Sequence, residues 1–158
     1  MKIRLAVILL GISLLPACSI RGKLYPVQGP LAAQAPVPVF TAKASGMFNS
    51  GNISVVLADG EVCKGRWHEG QTIPSPTLSS AHSSPPASLS SEWDTVYGSG
   101  FYVAHVLGSK LFAHGEAYGN RGTTLYMEMY RADPGGGSPP VIRGVAKDNK
   151  GNIYKMVF

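Results

Sequence analysis

The sequence predicts a mainly β chain with a minor α+β contribution: a small antiparallel β-barrel or curved sheet of about six or seven strands, with one helix packed on it. Three observations predict it. Short apolar/polar alternations recur along the chain, as at Ile53, Val55 and Leu57. Turn residues punctuate them at Asp59-Gly60, Gly119-Asn-Arg-Gly122 and Asp148-Asn-Lys-Gly151. One stretch, Trp93 to Leu107, changes to the three-and-four spacing of a helix face.

The chain starts with Lys2 and Arg4, continues through an eleven-residue apolar run from Leu5 to Leu15, and reaches Ala17-Cys18. A basic start, an apolar core of about 7 to 15 residues and a small residue before the cut describe a secretory signal. The run is shorter than the roughly 20 residues of a membrane span. Leu15-Pro16-Ala17-Cys18 resembles the lipobox of bacterial lipoproteins, with Pro16 in place of the more usual Ala or Ser. The resemblance implies cleavage before Cys18, diacylglycerol on its sulfur and acylation of the new amine. Ser19, where Asp would favour inner-membrane retention, implies the periplasmic face of the outer membrane. Each acyl CH₂ contributes about 0.8 kcal/mol of membrane affinity, so two or three chains hold firmly.

The expected division is residues 1–17 as signal peptide, 18–36 as a Pro-rich tether and 37–158 as a single β-rich domain. Pro26, Pro30, Pro36 and Pro38 suit extended, poorly packed chain in the tether. With Cys18 lipidated, Cys63 is alone, so no internal disulfide is expected and burial is the favoured state of its thiol. Of fourteen basic residues two leave with the signal, against nine acidic ones. No Lys/Arg run concentrates the surplus, which excludes nucleic acid as the expected partner and favours a bland solvated surface. The expected partners are the membrane, through the lipid on Cys18, and another envelope protein.

Within the domain, Val37 to Ala42 suits an edge strand, because Pro38 cannot donate to a ladder. A hairpin follows across Asp59-Gly60. If those two residues are the whole loop, Leu57 faces Val62, Val56 faces Cys63, and Cys63 shares a face with Val56, Ala58 and Trp67. Residues 71–91, rich in Ser and Pro, are expected to form a disordered loop. Ser91 and Asp94 suggest a capped helix start, with Trp93, Val96, Tyr97, Phe101, Ala104 and Leu107 on one face and a possible break at Gly98 or Gly100. Leu111 to Tyr118, Thr123 to Arg131, Val141 to Lys147 and Asn152 to Phe158 complete two further hairpins.

The run Gly119-Asn-Arg-Gly-Thr-Thr-Leu125 and the ending Gly144-Val-Ala-Lys-Asp-Asn-Lys-Gly-Asn-Ile-Tyr-Lys-Met-Val-Phe158 resemble features of small, uncharacterised proteobacterial lipoproteins. These motifs are turn and strand chemistry, so the resemblance bears on fold and location and carries over no catalytic residue. Tyr154, Met156 and Phe158 also resemble the closing strand of an integral outer-membrane barrel. Such a barrel needs at least eight spanning strands of about ten residues, more and longer than expected here.

No residue is expected to be catalytic, and no cofactor is expected. His68, His82, His105 and His114 form no metal-ligand spacing. His114 and Glu116 share a strand face, and Glu128 on the next strand joins them in one of two registers, giving a candidate polar cluster for acid–base or cation chemistry. Gly98-Ser99-Gly100 lacks the GxSxG nucleophile pattern. Cys63 and His68 point to opposite faces of a strand. Trp67, Trp93, Tyr97, Phe101 and Tyr102 could line a pocket, although core packing is the commoner use of aromatic rings. The expected function is a non-catalytic interaction or structural module of the cell envelope. The alternative is a small-ligand-binding or hydrolytic domain with a pocket between helix and sheet.

Overall fold

The computed structural model describes residues 19–47, 49–70, 88–109, 111–133 and 135–158. The expected signal, Cys18 and residues 71–87 lie outside the described residues. Eight antiparallel strands form a closed barrel in sequence order. They are β1 (Ser19–Gln28), β2 (Phe40–Met47), β3 (Ser50–Val56), β4 (Val62–Gly70), β5 (Phe112–Gly119), β6 (Thr124–Arg131), β7 (Ile142–Asp148) and β8 (Ile153–Val157). β8 closes the cylinder by pairing with β1 from Lys23↔Val157 to Gln28↔Ile153.

Closure requires one strand more than the sequence reading expected, and the stretch read as tether supplies it. Ser19 to Leu24 pair with β2, and Lys23 to Gln28 pair with β8. Pro26 is tolerated because it lies beyond the β2 ladder, where no partner asks for its missing N–H, and the β8 register shifts just after it. β2 is consequently flanked on both sides and is not an edge.

Alternation places large apolar side chains inside. Leu24, Phe40, Ile53, Val55, Leu125 and Met156 are all buried in one cluster, and Phe40 meets Tyr154 edge-on at 5.9 Å between ring centres. The outward positions of β1, β2, β4, β7 and β8 carry Arg21, Lys23, Lys43, Lys64, Arg66, Arg143 and Lys155. The strand count thus reaches that of the smallest membrane barrels, but an apolar inside with a charged outside is the reverse of their pattern. Among the described residues no helix is long and apolar enough to cross a membrane.

The β3–β4 hairpin differs from the two-residue loop by one register step: Val55 pairs with Cys63 and Val56 with Val62. Val56 is therefore exposed, while Cys63 is buried as expected. The extra loop residues exist because Glu61 turns inward. Its carboxylate accepts from the amides of Arg121 (2.9 Å) and Thr123 (3.1 Å) and from the Thr123 hydroxyl (2.5 Å), with Lys150 Nζ at 3.5 Å. Gly119 leaves the necessary room, since a Cβ there would collide with Glu61 Oε1.

Beside it Asp148 accepts from the amides of Lys150 and Asn152, the Asn152 side chain and the Tyr154 hydroxyl at 2.6 to 2.9 Å. Asn152 Oδ1 in turn accepts from the Leu31 amide at 2.9 Å, tying down the β1–β2 connection. One end of the barrel is therefore sealed by buried, fully partnered polar groups.

The helical segment lies on the outside of the barrel. Helix α1 (Ser90–Tyr97) ends at Gly98, and after a short break comes a π-helical turn, Tyr102–Val106. The expected Ser91 cap does not form. Ser91 hydrogen-bonds Glu92, while Asp94 accepts from the amides of Gly100 and Tyr102 and so links the two helical pieces. Residues 88–91, read as part of the loop, lead into and begin α1, with Leu89 buried.

Burial would raise the Glu61 pKa, but the Thr123 and Arg121 donors and the Lys150 charge outweigh it and hold the group at about 2, against an ordinary 4.5. A depressed folded pKa stabilises fully above the unfolded value, and that contribution is lost as pH falls toward the folded one. Urea unfolding should therefore show wild-type stability falling between pH 4.5 and 2. Glu61→Gln should lack that part of the acid limb and cost about 3 kcal/mol at pH 7, because buried donors lose their anionic acceptor.

Candidate functional site

The opposite end of the barrel is open. A cavity of about 370 Å³ lies there, with walls formed by Ala44 of β2, Trp67 of β4, Ala113 of β5, Met129 of β6, Ile142 of β7 and Phe158. Trp67, Ala113, Ile142 and Phe158 pack against the barrel core. Alternation explains the set, since each residue occupies an inward position near the same rim.

Trp67 forms the largest wall. Its Nε1 donates to the Ser45 carbonyl at 3.2 Å, which fixes the indole. The ring fits because Gly46 and Gly51 face each other across β2 and β3. A Cβ on Gly46 would lie 2.8 Å from Trp67 Cζ2, and one on Gly51 would lie 2.6 Å from Nε1. Ser45, Glu69 and Arg131 supply polar groups at the rim. The Arg131 guanidinium is already engaged, by Asp133 at 3.1 Å and the Gly137 carbonyl at 2.8 Å. Among the described residues the cup offers mainly apolar surface, and no nucleophile and base converge inside it.

The candidate polar cluster shares one outer face. His114 pairs directly with Glu128, and Glu116 with Tyr126. The three side chains nevertheless serve separate contacts. Glu116 accepts from the Tyr118 hydroxyl at 2.6 Å, which raises the Tyr118 pKa. His114 lies beside His68, with ring centres 6.3 Å apart. Glu128 lies under α1, where it accepts from the Leu89 amide at 2.9 Å and Trp93 Nε1 at 2.7 Å. Burial raises its pKa against the pull of those donors. Glu128 thus fastens the helix to the barrel. Among the described residues no three His, Cys, Asp or Glu side chains are placed to hold a metal ion.

The seam between helix and sheet, where a pocket was the alternative expectation, is filled. Trp93, Val106 and Val145 are each 0% exposed there. Trp93 stacks on Tyr97 at 5.5 Å and meets Tyr130 edge-on at 5.6 Å, and the Tyr97 hydroxyl reaches the carbonyls of Gly144 and Met156 at 3.2 Å. The five aromatic residues singled out in the sequence therefore separate: Trp67 lines the cup, while Trp93, Tyr97, Phe101 and Tyr102 belong to the outer seam. Cys63 is deep in the barrel, and burial, reinforced by the Glu61 charge, pushes its thiol up to about 11, so it is not poised for chemistry.

Sequence reasoning did not find Ala44, Ala113, Met129, Ile142 or Phe158 as cup residues. A partial signal was present: the inward positions near the open rim include small residues, Ala44, Gly46, Gly51 and Ala113, but small residues also occur deeper, at Ala42, Ala117 and Ala146, so size alone does not mark the cup. Comparison of the chain with protein-family models, curated proteins and solved structures gives no match.

Removing the helix fastening has a measurable consequence. Glu128→Ala leaves the Leu89 amide and the Trp93 indole N–H without their buried acceptor, at an expected cost of about 2 kcal/mol. In a Trp67→Phe background, Trp93 emission should shift to the red as the seam admits water. An unshifted spectrum with unchanged stability would show that Glu128 does not hold the helix.

Proposed function

We propose that this chain is a lipid-anchored protein of the bacterial cell envelope whose barrel mouth binds the aliphatic part of a small amphiphile without catalysing a reaction on it. The observation that carries the reading is the asymmetry of the barrel. One end is sealed by Glu61, Asp148 and Asn152, and the other opens into an apolar cup.

An eight-stranded barrel either fills its interior with side chains or holds one small ligand. Here the two uses divide along the axis. A volume of about 370 Å³ is within the range of small-molecule sites, roughly 300 to 1,000 Å³, which are mostly apolar with a few polar groups at fixed places.

The anchor and the cup reinforce each other. β1 begins at the open rim, where Ser19 pairs with Ser45 and Ile20 lines the cavity. Cys18 precedes Ser19 by one peptide unit, about 3.8 Å between Cα atoms. Acyl chains on Cys18 would hold the mouth close to the bilayer, where amphiphiles are concentrated. The sorting logic of Ser19 makes the outer membrane's periplasmic face the proposed location.

Two measurements test the reading. Intact mass of membrane-extracted wild type should correspond to loss of residues 1–17 with gain of a diacylglycerol and an acyl chain, absent from Cys18→Ala. An unmodified, soluble wild type would sink the anchor. Titrating Cys18→Ala with a dansyl-labelled undecanoic acid should give saturable, blue-shifted emission. Ala113→Trp, which fills the cup, should weaken binding at least tenfold with stability held within about 2 kcal/mol. Equal binding by both proteins would remove the cup from the function.

A further inference from the structure

We propose that the outer wall formed by β8, β1 and β2, together with Arg143 at the open-rim end of β7, is a docking surface for an anionic lipid bilayer. This inference does not depend on ligand binding in the cup or on the lipid at Cys18.

It rests first on the spatial separation of charge. All nine acidic residues fall between Asp59 and Asp148. Strands β8, β1, β2 and β3 contain none, and the single acid of β7, Asp148, is buried at the sealed end. On the outer face of this wall are Arg21, Lys23, Lys43, Arg143 and Lys155, while farther along β7 Lys147 is neutralised by Glu92 of the helix lying there, so the unpaired surplus gathers on the β8–β1–β2 side.

The second observation is how those cations are arranged. Arg21 is directly opposite Lys43 in the β1–β2 ladder. Lys23 and Arg143 flank Val157 in one row across β1, β8 and β7. Like charges directly opposite on a sheet repel, and an external anion relieves that repulsion. Among the described residues the ion pairs engage Arg121, Arg131, Lys147 and Lys150, and none engages these five. Lys155 lies over the Tyr97 ring at 5.2 Å, and Lys23 donates to the Thr41 hydroxyl at 3.3 Å.

A bilayer fits this wall better than a nucleic acid. Exposed apolar and aromatic side chains, Tyr25, Val27 and Val157, stand among the cations, a mixture suited to the headgroup region of a membrane. Arg21, Lys43 and Arg143 also lie within two residues of the open-rim ends of their ladders, at Ser19↔Ser45 and Ile142. The basic wall and the start of β1 therefore approach the same plane.

The test uses the full chain carrying Cys18→Ala, so that no lipid retains it, and flotation with vesicles of phosphatidylcholine alone or with 30% phosphatidylglycerol. Anionic vesicles should be preferred at least tenfold in 50 mM NaCl, and the preference should vanish in 500 mM NaCl, where screening is several times shorter in range. Arg21→Glu/Lys43→Glu should lose most of the preference, and because it exchanges one directly opposed like-charge pair for another, its thermal stability should stay close to that of the wild type. Lys64→Glu/Arg66→Glu, on the adjacent β3–β4 side, should lose much less. Equal flotation by wild type and the Arg21→Glu/Lys43→Glu variant would overturn the proposal. So would tight binding of a DNA oligonucleotide, lost in that variant, with no preference for anionic vesicles.

Discussion

The ladder between β1 and β8 is the constraint on which the rest of the molecule depends. Without it, β1 and β8 would be open edges, and the apolar interior from Leu24 to Met156 would face water along one side. Closure makes an inside available to every strand at once. It also fixes two different ends, because the tight β3–β4, β5–β6 and β7–β8 turns meet at one of them while the first and last residues of the sheet meet at the other. The sealed and open ends are thus consequences of connectivity, to which the side chains then adapt.

That adaptation uses opposite physics at the two ends. The sealed end hides Glu61 and Asp148 and stabilises them with amides, a threonine hydroxyl, an asparagine and a tyrosine, so a buried charge is held by donors already in place. The open end is built from Ala, Met, Ile and Trp side chains whose exposure is tolerated because the cup is small and recessed. The outer wall is divided in the same way. Glu128 and Val145 are covered by α1 on one flank, and the flank formed by β1 and β2 is bare and basic.

Much of the barrel was legible because its later hairpins obey local rules. Asp148 to Gly151 and Gly119 to Gly122 fixed two turns within a residue of their observed places, and alternation placed β5 to β8 around them. β1 was not legible, since its inward positions are Ile20, Gly22, Leu24 and Pro26, where a glycine and a proline break the apolar alternation. Its strand identity comes from two long-range partners. The β3–β4 register was misjudged for a related reason: Glu61 reads as a surface residue until Arg121 and Thr123, some sixty positions away, are known to face it. The Cys63 burial, expected from the tendency of free cysteines to be buried, is found, although the cross-strand neighbour that was taken to support it, Val56, is Val55 in the structure. The cup could not be read from any one segment, because it is assembled from one to three residues of each of six strands together with Phe158. His114 and Glu116 could be read as one face, with Glu128 joining it in one of two registers; the structure selects that register, and what becomes of Glu128 is decided by a helix packed from outside the sheet.

Ser19 and Phe158 finish at the same rim, and the Phe158 ring lies against the chain at Gly22. Anything appended after Phe158 therefore emerges beside the mouth, where it would shade the opening and the adjoining basic wall. The Asp59-Gly60 turn, by contrast, is at the far pole, exposed and remote from both surfaces. A label or affinity handle inserted there leaves the mouth free, and joining Phe158 back to Ser19 through a short linker would give a permuted barrel that opens at that distant turn with its working end intact.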